Sequence, residues 1–143
     1  MYNIKVDLID DGFHFVGKNE RGNTVHMDTS EEKGGHGQGA GPMQLLLMGL
    51  GGCSGIDILL ILRKGRQQVD EFSVDITAER AAGEIPSVFT KIHAHFTLNG
   101  ALDNEKVKRA IELSLEKYCS VARTLQSTAE ITFSYTVNAV DYA

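Results

Sequence analysis

The chain begins with short stretches in which apolar and polar residues alternate. Residues 2–8, 13–17 and 24–27 alternate with the period of two that is typical of β-strands. The turn signals Asp10-Asp11-Gly12 and Arg21-Gly22-Asn23 separate them, and the charged, glycine-rich stretch over residues 30–41 predicts a loop. The pattern therefore predicts three short strands followed by a loop.

A long apolar run follows the loop and predicts one helix, Pro42–Lys64. Pro42 suits the first turn, where its missing N–H group costs nothing, and Gly65 is a helix stop. Because this helix is apolar on nearly every side, we expect all of its faces to be buried. One domain of 143 residues covers such a helix poorly, whereas a two-fold dimer with one central helix from each chain covers both.

Glycine is unusually frequent in this helix, at Gly49, Gly51, Gly52 and Gly55. Each costs roughly 1 kcal/mol relative to alanine, so some other interaction must offset the loss. Close approach of another backbone would do so, and so would access for a ligand beside Cys53. Tight packing of the helix inside one subunit is the alternative.

The second half of the chain returns to alternation, interrupted by helical segments. The predicted elements are strands over residues 72–79 and 88–98, helices over residues 103–117 and 119–128, and a closing strand over residues 130–140. Asp103 or Asn104 caps the first of these helices, and Asn99-Gly100 ends the strand before it. The order β-β-β-α-β-β-α-α-β defines an α+β fold class. Residues 1–143 show no linker, repeat or break in composition, which predicts a single domain.

Composition argues against nucleic-acid binding and against a membrane protein. The 42% hydrophobic and 23% charged residues are typical of a globular chain, and the net charge of -5 is the wrong sign for a nucleic-acid partner. Residues 1–6 lack a secretory pattern, and polar residues interrupt the apolar run of the long helix. We therefore expect no membrane span and a cytoplasmic location.

Two cysteines, Cys53 and Cys119, are the candidate reactive groups. In a reducing compartment a cysteine pair is catalytic or inert more often than a structural disulfide. Cys53 lies in mid-helix, where an inert buried thiol is the simplest interpretation. Cys119 lies near a predicted helix start, where free backbone N–H groups favour an anion. Helix electrostatics therefore predict Cys119 to be the more acidic thiol.

Other motifs carry little chemistry. Gly35-x-Gly37-x-x-Ala40 fits a loose dinucleotide fingerprint, but it follows a polar loop and no βαβ unit surrounds it. His26, His36 and the two cysteines lack the closely spaced ligand pairs of zinc sites, so we expect no metal and no cofactor. His14, His93 and His95 fall in strand patterns and are expected to be ordinary surface or core residues.

The cysteine segments carry a family resemblance. Gly51-Gly52-Cys53-Ser54, Tyr118-Cys119-Ser120 and the glycine-rich loop before Pro42 resemble the OsmC/Ohr family, and most closely its YhfA-like branch. This family comprises osmotically inducible and organic hydroperoxide resistance proteins of bacteria. The resemblance implies an intertwined homodimer in which two sheets wrap a pair of central helices, with active sites at the dimer interface.

The resemblance also implies a thiol-dependent peroxidase acting on organic hydroperoxides. Cys53 would attack the peroxide bond and become a sulfenic acid, and Cys119 would condense with it to a disulfide. A dithiol reductant, in the family typically a lipoyl group, would then restore both thiols. For the roles of the two cysteines we follow the family rather than the helix electrostatics.

The chain departs from the family pattern around the reactive thiol. Family members carry a glutamate directly after the proline, where this chain has Met43 followed by Gln44. They also carry an arginine from the N-terminal strands, for which Arg21 is the nearest match in order. Asp57, one helical turn beyond Cys53, would disfavour a thiolate. The alternatives are an apolar-ligand binder with Met43, Leu47, Met48 and Ile56 lining an interface pocket, or a stress-associated dimer that serves only protein contact.

Overall fold

The computed structural model describes all residues from Met1 to Ala143 and divides them into two compact units, Met1–Leu47 and Met48–Ala143. The first unit contains a three-stranded antiparallel sheet in the order β1-β2-β3. Its strands are β1 (Lys5–Leu8), β2 (Phe15–Lys18) and β3 (Thr24–Met27). The single domain over residues 1–143 stays a prediction.

The glycine-rich loop is folded back onto β3 by one carboxylate. Asp28 is 3% exposed and accepts hydrogen bonds from the backbone N–H groups of Thr29, His36 and Gln38, at 2.7, 3.2 and 3.0 Å. A Cβ atom on Gly35 would lie only 2.7 Å from Asp28 Oδ1, and nearer still to the Thr29 carbonyl oxygen. The glycine spacing therefore serves close backbone packing, and one short 3₁₀ turn, Glu31–Lys33, is the only helix within the loop.

The long helix α1 (Pro42–Lys64) has the predicted bounds and begins in the first unit and ends in the second. The second unit contains a four-stranded sheet in the order β4-β5-β6-β7, in which the β5–β6 pair is parallel and the others are antiparallel. Its elements are β4 (Gln68–Arg80), β5 (Phe89–Ala101), α2 (Asn104–Leu113), one π-helical turn (Ser114–Tyr118), α3 (Ser120–Leu125), β6 (Glu130–Val137) and β7 (Val140–Tyr142).

The core of the second unit lies between one face of the sheet and helices α1 and α2. Phe96 is the largest fully buried side chain, and Ile58, Leu62, Val107 and Ile111 belong to the same buried cluster. This arrangement follows from the alternation along β5, which places every second residue on the core face. The α+β class predicted from the sequence is confirmed.

Helix α1 is buried on only one side within the chain, which agrees with the expectation that one domain covers it poorly; burial of its other faces by a second chain stays a prediction. The buried positions are Leu50, Gly51, Ser54, Gly55, Ile58 and Leu62. Met48, Ile56 and Leu60 are 57%, 63% and 51% exposed. By length and composition alone, α1 is long and apolar enough to cross a membrane. The polar residues that interrupt it are therefore not enough to exclude a span. Soluble core helices pass the same test, and the buried face of α1 packs as such a helix does.

The glycines of α1 divide into two groups. A Cβ atom at Gly51 would lie 3.2 Å from Val74, and one at Gly55 would lie 3.2 Å from Phe72, so both allow the helix to approach β4 closely. Gly49 and Gly52 have no neighbouring atom within 4 Å of such a Cβ position. Tight packing inside one subunit therefore explains only half of the glycines.

Element ends differ from the prediction where the backbone takes unusual angles. Asn99 and Gly100 lie within β5 instead of ending it, because Gly100 takes φ 147 beside a bulge in the β4–β5 pairing. The closing strand stops at Val137, and the turn residues Asn138 and Ala139, with φ 49 and 67, lead into β7. The sequence analysis missed β7 because such turns usually carry glycine where this chain has Ala139.

Candidate active site

The fold brings Cys53, Cys119 and Asp57 together, although Cys119 is remote from the other two in sequence. Cys53 and Asp57 lie one turn apart on α1 and are both half-buried, whereas Cys119 precedes α3 and is 3% exposed. The two sulfur atoms and a carboxylate oxygen of Asp57 all lie within 4.8 Å of one another. Both thiols are free. The three residues therefore form one candidate site.

Cys119 is held at the junction of the π-helical turn and α3. Its backbone N–H donates to the Ser114 carbonyl oxygen at 2.7 Å, and its extended backbone, with φ -75 and ψ 105, makes it the N-cap residue of α3. The Cys119 Sγ accepts a hydrogen bond from the backbone N–H of Ala122 at 3.4 Å. The predicted location of Cys119 at a helix start is confirmed.

The predicted acidity of Cys119 is wrong. Burial first, and then the neighbouring Cys53 sulfur, raise the pKa of the Cys119 thiol to about 11, although the backbone N–H groups of Ala122 and Val121 lower it in part. α3 has six residues, and its few amides do not replace the lost hydration. No cation is among the groups that shift this pKa. Cys119 is therefore a neutral thiol at physiological pH.

Ser114 orients the carboxylate of Asp57. The Ser114 side chain is fully buried, and its hydroxyl donates to Asp57 Oδ2 at 3.1 Å, with the Ser54 carbonyl oxygen farther away at 3.4 Å. Sequence reasoning missed Ser114. The available signal was a polar residue three positions after Ile111, on the apolar face of the predicted helix.

The other predicted site residues lie in the first unit and have local roles there. Arg21 lies in the exposed turn between β2 and β3, where its backbone N–H donates to Asn19 Oδ1 at 3.1 Å. Met43 lies in the first turn of α1, and Gln44 Oε1 accepts from the backbone N–H of Gly41 at 2.9 Å. Gln44 therefore caps the start of α1, and a role of Arg21, Met43 or Gln44 at the thiols stays a prediction.

A cavity of about 460 Å³ opens beside the carboxylate of Asp57. It is lined by Asp57, Leu60, Ile61, Lys64, Leu113 and Tyr118. Three of the six lining residues are aliphatic, so the cavity suits an apolar group close to the thiols. Leu47, Met48 and Ile56, which the sequence analysis placed in a pocket, do not line it.

The histidines are ordered by hydrogen bonds to residues other than the cysteines. On the outer face of the sheet, His93 and His95 contact the hydroxyls of Thr132, Ser134 and Thr136 at 2.6–2.8 Å. The prediction that His93 and His95 are strand residues is confirmed. In the first unit, His14 Nε2 lies 2.7 Å from His26 Nδ1.

The His36–Asp10 pair gives a pH-dependent prediction. The hydrogen bond from His36 Nδ1 to Asp10 Oδ2, at 2.9 Å, raises the pKa of His36 above its ordinary value of 6.5. A raised histidine pKa stabilises the fold at pH below the ordinary value, and this contribution is lost as pH rises through the folded value. In an NMR titration, we expect Asp10→Asn to return the pKa of His36 towards 6.5. The matched variant Asp11→Asn removes only a weaker charge interaction, and an equal shift in both variants would contradict the assignment.

Comparison with known proteins shows the family of the chain. The sequence profile of a family described as OsmC-like protein matches residues 35–134. The protein YhfA of Escherichia coli strain K12 is 44% identical over 129 residues, which cover 89% of this chain and 92% of YhfA. The fold and the paired thiols define a two-cysteine α+β protein. The chain belongs to the OsmC-like family, as its cysteine segments predicted.

Solved structures share the fold. A hypothetical protein from Aquifex aeolicus VF5 superposes with a TM-score of 0.79 at 26% identity, over 96% of this chain and 98% of that chain. An organic hydroperoxide resistance protein OsmC from Legionella pneumophila superposes with a TM-score of 0.73 at 16% identity, over 96% and 97%. At that identity the second comparison supports the fold alone.

Proposed function

We propose that this protein is a cytoplasmic, thiol-dependent peroxidase that reduces organic hydroperoxides in oxidative-stress defence. The observation that carries the proposal is the approach of the Cys53 and Cys119 sulfur atoms, which lie within 4.8 Å of each other and of Asp57. A disulfide bond has a length of about 2.05 Å, so a small movement would join the two sulfurs. The Legionella pneumophila protein that shares this fold is named an organic hydroperoxide resistance protein.

The environments of the two thiols suggest which of them attacks the peroxide. Cys53 is half-buried and reachable, whereas Cys119 is 3% exposed and its pKa is raised to about 11. A thiolate is the nucleophile, so Cys53, the more accessible of the two thiols, is the better first attacker. Cys119 needs to reach only the neighbouring sulfur, and a buried position suits that resolving role.

The reaction proceeds in three balanced steps. The Cys53 thiolate attacks one peroxide oxygen, an S–O bond forms, the O–O bond breaks, and the alcohol leaves after taking up a proton. The Cys119 sulfur, giving up its proton, then attacks the sulfenic acid, and water leaves as the disulfide forms. A dithiol, such as a lipoyl group, reduces this disulfide by thiol exchange and is itself oxidised to a disulfide.

Stopped-flow kinetics with the reduced protein tests the proposal. Cumene hydroperoxide is mixed with the protein, and the loss of free thiol is followed together with disulfide formation. We expect a reaction faster than that of free cysteine at the same pH. A rate no greater than that of free cysteine would remove the peroxidase assignment.

Asp57 is expected to restrain the reaction. Its negative charge lies beside the Cys53 sulfur, and a like charge disfavours a thiolate. We expect Asp57→Asn to raise the second-order rate constant with cumene hydroperoxide about 3- to 10-fold at pH 7, because the repulsion between the carboxylate and the attacking thiolate is removed.

Ser114→Ala is the matched control for Asp57→Asn. It removes the hydrogen bond to Asp57 Oδ2 but keeps the negative charge, so it should leave the rate constant close to that of the wild type. A slower reaction in Asp57→Asn, with a normal circular dichroism spectrum, would instead make Asp57 a helper of the reaction.

A homodimer is part of the proposed function. Met48, Gly52, Ile56 and Leu60 recur at intervals of four residues and so share one exposed face of α1. Three of these side chains are large, apolar and more than half exposed, and the open space at Gly52 admits a closely packed helix. A second copy of α1 presents the same apolar face, as a two-fold contact requires.

Light scattering after size-exclusion chromatography tests the dimer. We expect twice the chain mass of 15.6 kDa for the wild type and a shift to the monomer in Ile56→Asp, which places a charge at the centre of the face. Lys108→Asp, an exposed position on α2, is the matched control and should remain dimeric. A wild-type monomer at every concentration would contradict the proposal.

Binding of an apolar ligand is the second candidate function. The cavity beside Asp57 has Leu60, Ile61 and Leu113 among its walls, which suits a hydrocarbon group. A fluorescent fatty acid serves as the probe, and Leu113→Asp should abolish its binding. Saturable binding without peroxide turnover would favour this function over the peroxidase.

A further inference from the structure

The thiol site has the composition of a metal site as well as that of a redox pair. The Cys53 sulfur, the Cys119 sulfur and an Asp57 oxygen converge within 4.8 Å of one another from three separate side chains. In tetrahedral zinc sites the Zn–S distance is about 2.3 Å, which sets neighbouring sulfur ligands roughly 3.8 Å apart. The observed convergence is therefore close to what one cation requires.

The carboxylates of the first unit, by contrast, are already used. Asp10 Oδ1 accepts from the backbone N–H groups of Gly12 and His14 at 2.9 and 3.1 Å. Both oxygens of Asp28 likewise accept from backbone N–H groups. Those two carboxylates organise a turn and a loop, whereas Asp57 accepts only the side-chain hydrogen bond from Ser114 and Cys119 Sγ accepts one backbone hydrogen bond, from Ala122.

Groups around the thiol site match the outer shell of a metal centre. The Ser114 hydroxyl donates to Asp57 Oδ2, which fixes the orientation of the carboxylate and leaves Oδ1 available. The backbone N–H of Ala122 donates to the Cys119 sulfur at 3.4 Å. Metal ligands are commonly held by such second hydrogen bonds.

Charge also favours a cation at this position. The two cysteine sulfurs and one carboxylate oxygen of Asp57 face each other within 4.8 Å. When a divalent cation enters and the two thiols each release a proton, the net charge of the site stays the same. A coordinated thiol is deprotonated by the metal itself, which removes the obstacle that burial creates.

We propose that Cys53, Cys119 and Asp57 bind one thiophilic divalent cation, Zn²⁺ foremost, in the reduced protein. Ser114 holds Asp57 in place, and the cavity beside Asp57 leaves room for a further ligand. Thiolate ligands select zinc over magnesium and calcium. Three protein ligands with one open position are typical of zinc sites that keep a water or a small ligand. A disulfide between the two cysteines would remove both sulfur ligands, so metal binding and oxidation exclude each other.

Titration of the reduced, full-length protein with Co²⁺ tests the site under anaerobic conditions. We expect one Co²⁺ per chain, with the visible bands of tetrahedral cobalt and a sulfur-to-cobalt charge-transfer band, and displacement by Zn²⁺. Metal binding should release protons near pH 7, because a cysteine coordinates as its thiolate. Cys53→Ser and Cys119→Ser should lose the charge-transfer band, and Ser114→Ala should weaken binding about 10- to 100-fold.

Cobalt binding by the oxidised wild-type protein tests the site even if a cysteine variant fails to fold. Diamide-oxidised protein should bind no Co²⁺ and should regain binding after reduction. His14→Ala is the control for the imidazole pair of the first unit and should bind normally. Loss of binding in His14→Ala, or cobalt spectra without the charge-transfer band, would overturn the proposal.

The metal-binding test and the peroxidase test can fail independently of each other. Peroxide turnover measured with a chelator present reports on the proposed function alone. Cobalt binding measured without peroxide reports on the metal site alone. A protein that binds cobalt through sulfur but reacts with peroxide no faster than free cysteine would retain the metal site and lose the peroxidase.

Discussion

Cys53→Ser should reduce the rate of peroxide reduction at pH 7 by about 100-fold or more, whereas Cys119→Ser should retain the first step. The remaining thiol in Cys53→Ser is Cys119, whose pKa is raised to about 11 chiefly by burial. At a pH four units below the pKa of a thiol, roughly one molecule in 10,000 is the thiolate, compared with a few per cent for an ordinary cysteine at pH 7. Stopped-flow measurement of the thiol reaction with cumene hydroperoxide gives both rates.

The pH dependence of the residual reaction distinguishes this explanation from simple misfolding. In Cys53→Ser the slow reaction of Cys119 should rise about tenfold per pH unit in the neutral range, because the thiolate fraction rises in that proportion. In Cys119→Ser, a sulfenic-acid probe should label Cys53 after one equivalent of peroxide, and no intramolecular disulfide should form. Labelling of Cys119 in Cys53→Ser at the wild-type rate would reverse the two roles.

Gly35→Ala should destabilise the protein by about 3 kcal/mol or more, since a buried backbone contact leaves no room for a side chain. The new Cβ would lie 2.7 Å from Asp28 Oδ1 and would overlap the Thr29 carbonyl oxygen. The loop would have to move away, which breaks the hydrogen bonds that Asp28 accepts from His36 and Gln38. Urea denaturation gives the free energy of unfolding.

Gly37→Ala is the matched control for the loop. Gly37 takes φ 62, but nothing lies within 4 Å of an added Cβ. Alanine at this position therefore destabilises the protein only through the strain of the left-handed backbone. That strain is about 1–2 kcal/mol. Equal destabilisation by the two variants would mean that backbone angle, rather than the contact with Asp28, determines the glycine at position 35.

Local signals in the sequence predicted much of the fold. The bounds of α1 follow from Pro42 at its first turn and from the end of the apolar run at Lys64. Asp103 accepts from the backbone N–H of Glu105 at 2.9 Å, as a capping residue should. Strand β7 was not predicted, which shows the limit of local signals. Ala139 adopts φ 67 in the turn before β7, where a glycine usually indicates such a turn.

The sequence predicted only part of the candidate site, and hydrophobic periodicity alone did not predict that the two cysteines meet. Alternation and capping placed Cys53 in mid-helix and Cys119 at a helix start, but only the family resemblance joined them. The direction of the Cys119 pKa was wrong because the helix argument counts nearby amides and omits burial. Ser114 escaped notice because its partner, Asp57, lies on another helix.

The sequence by itself determined the periodicity of the strands, the bounds of α1 and the presence of two candidate thiols, because these depend on residues that are neighbours in the chain. Tertiary structure decided that the two sulfurs and Asp57 meet, that Cys119 is a weak acid, and that one apolar face of α1 stays exposed. These properties depend on burial and distance between remote segments, which no local pattern encodes.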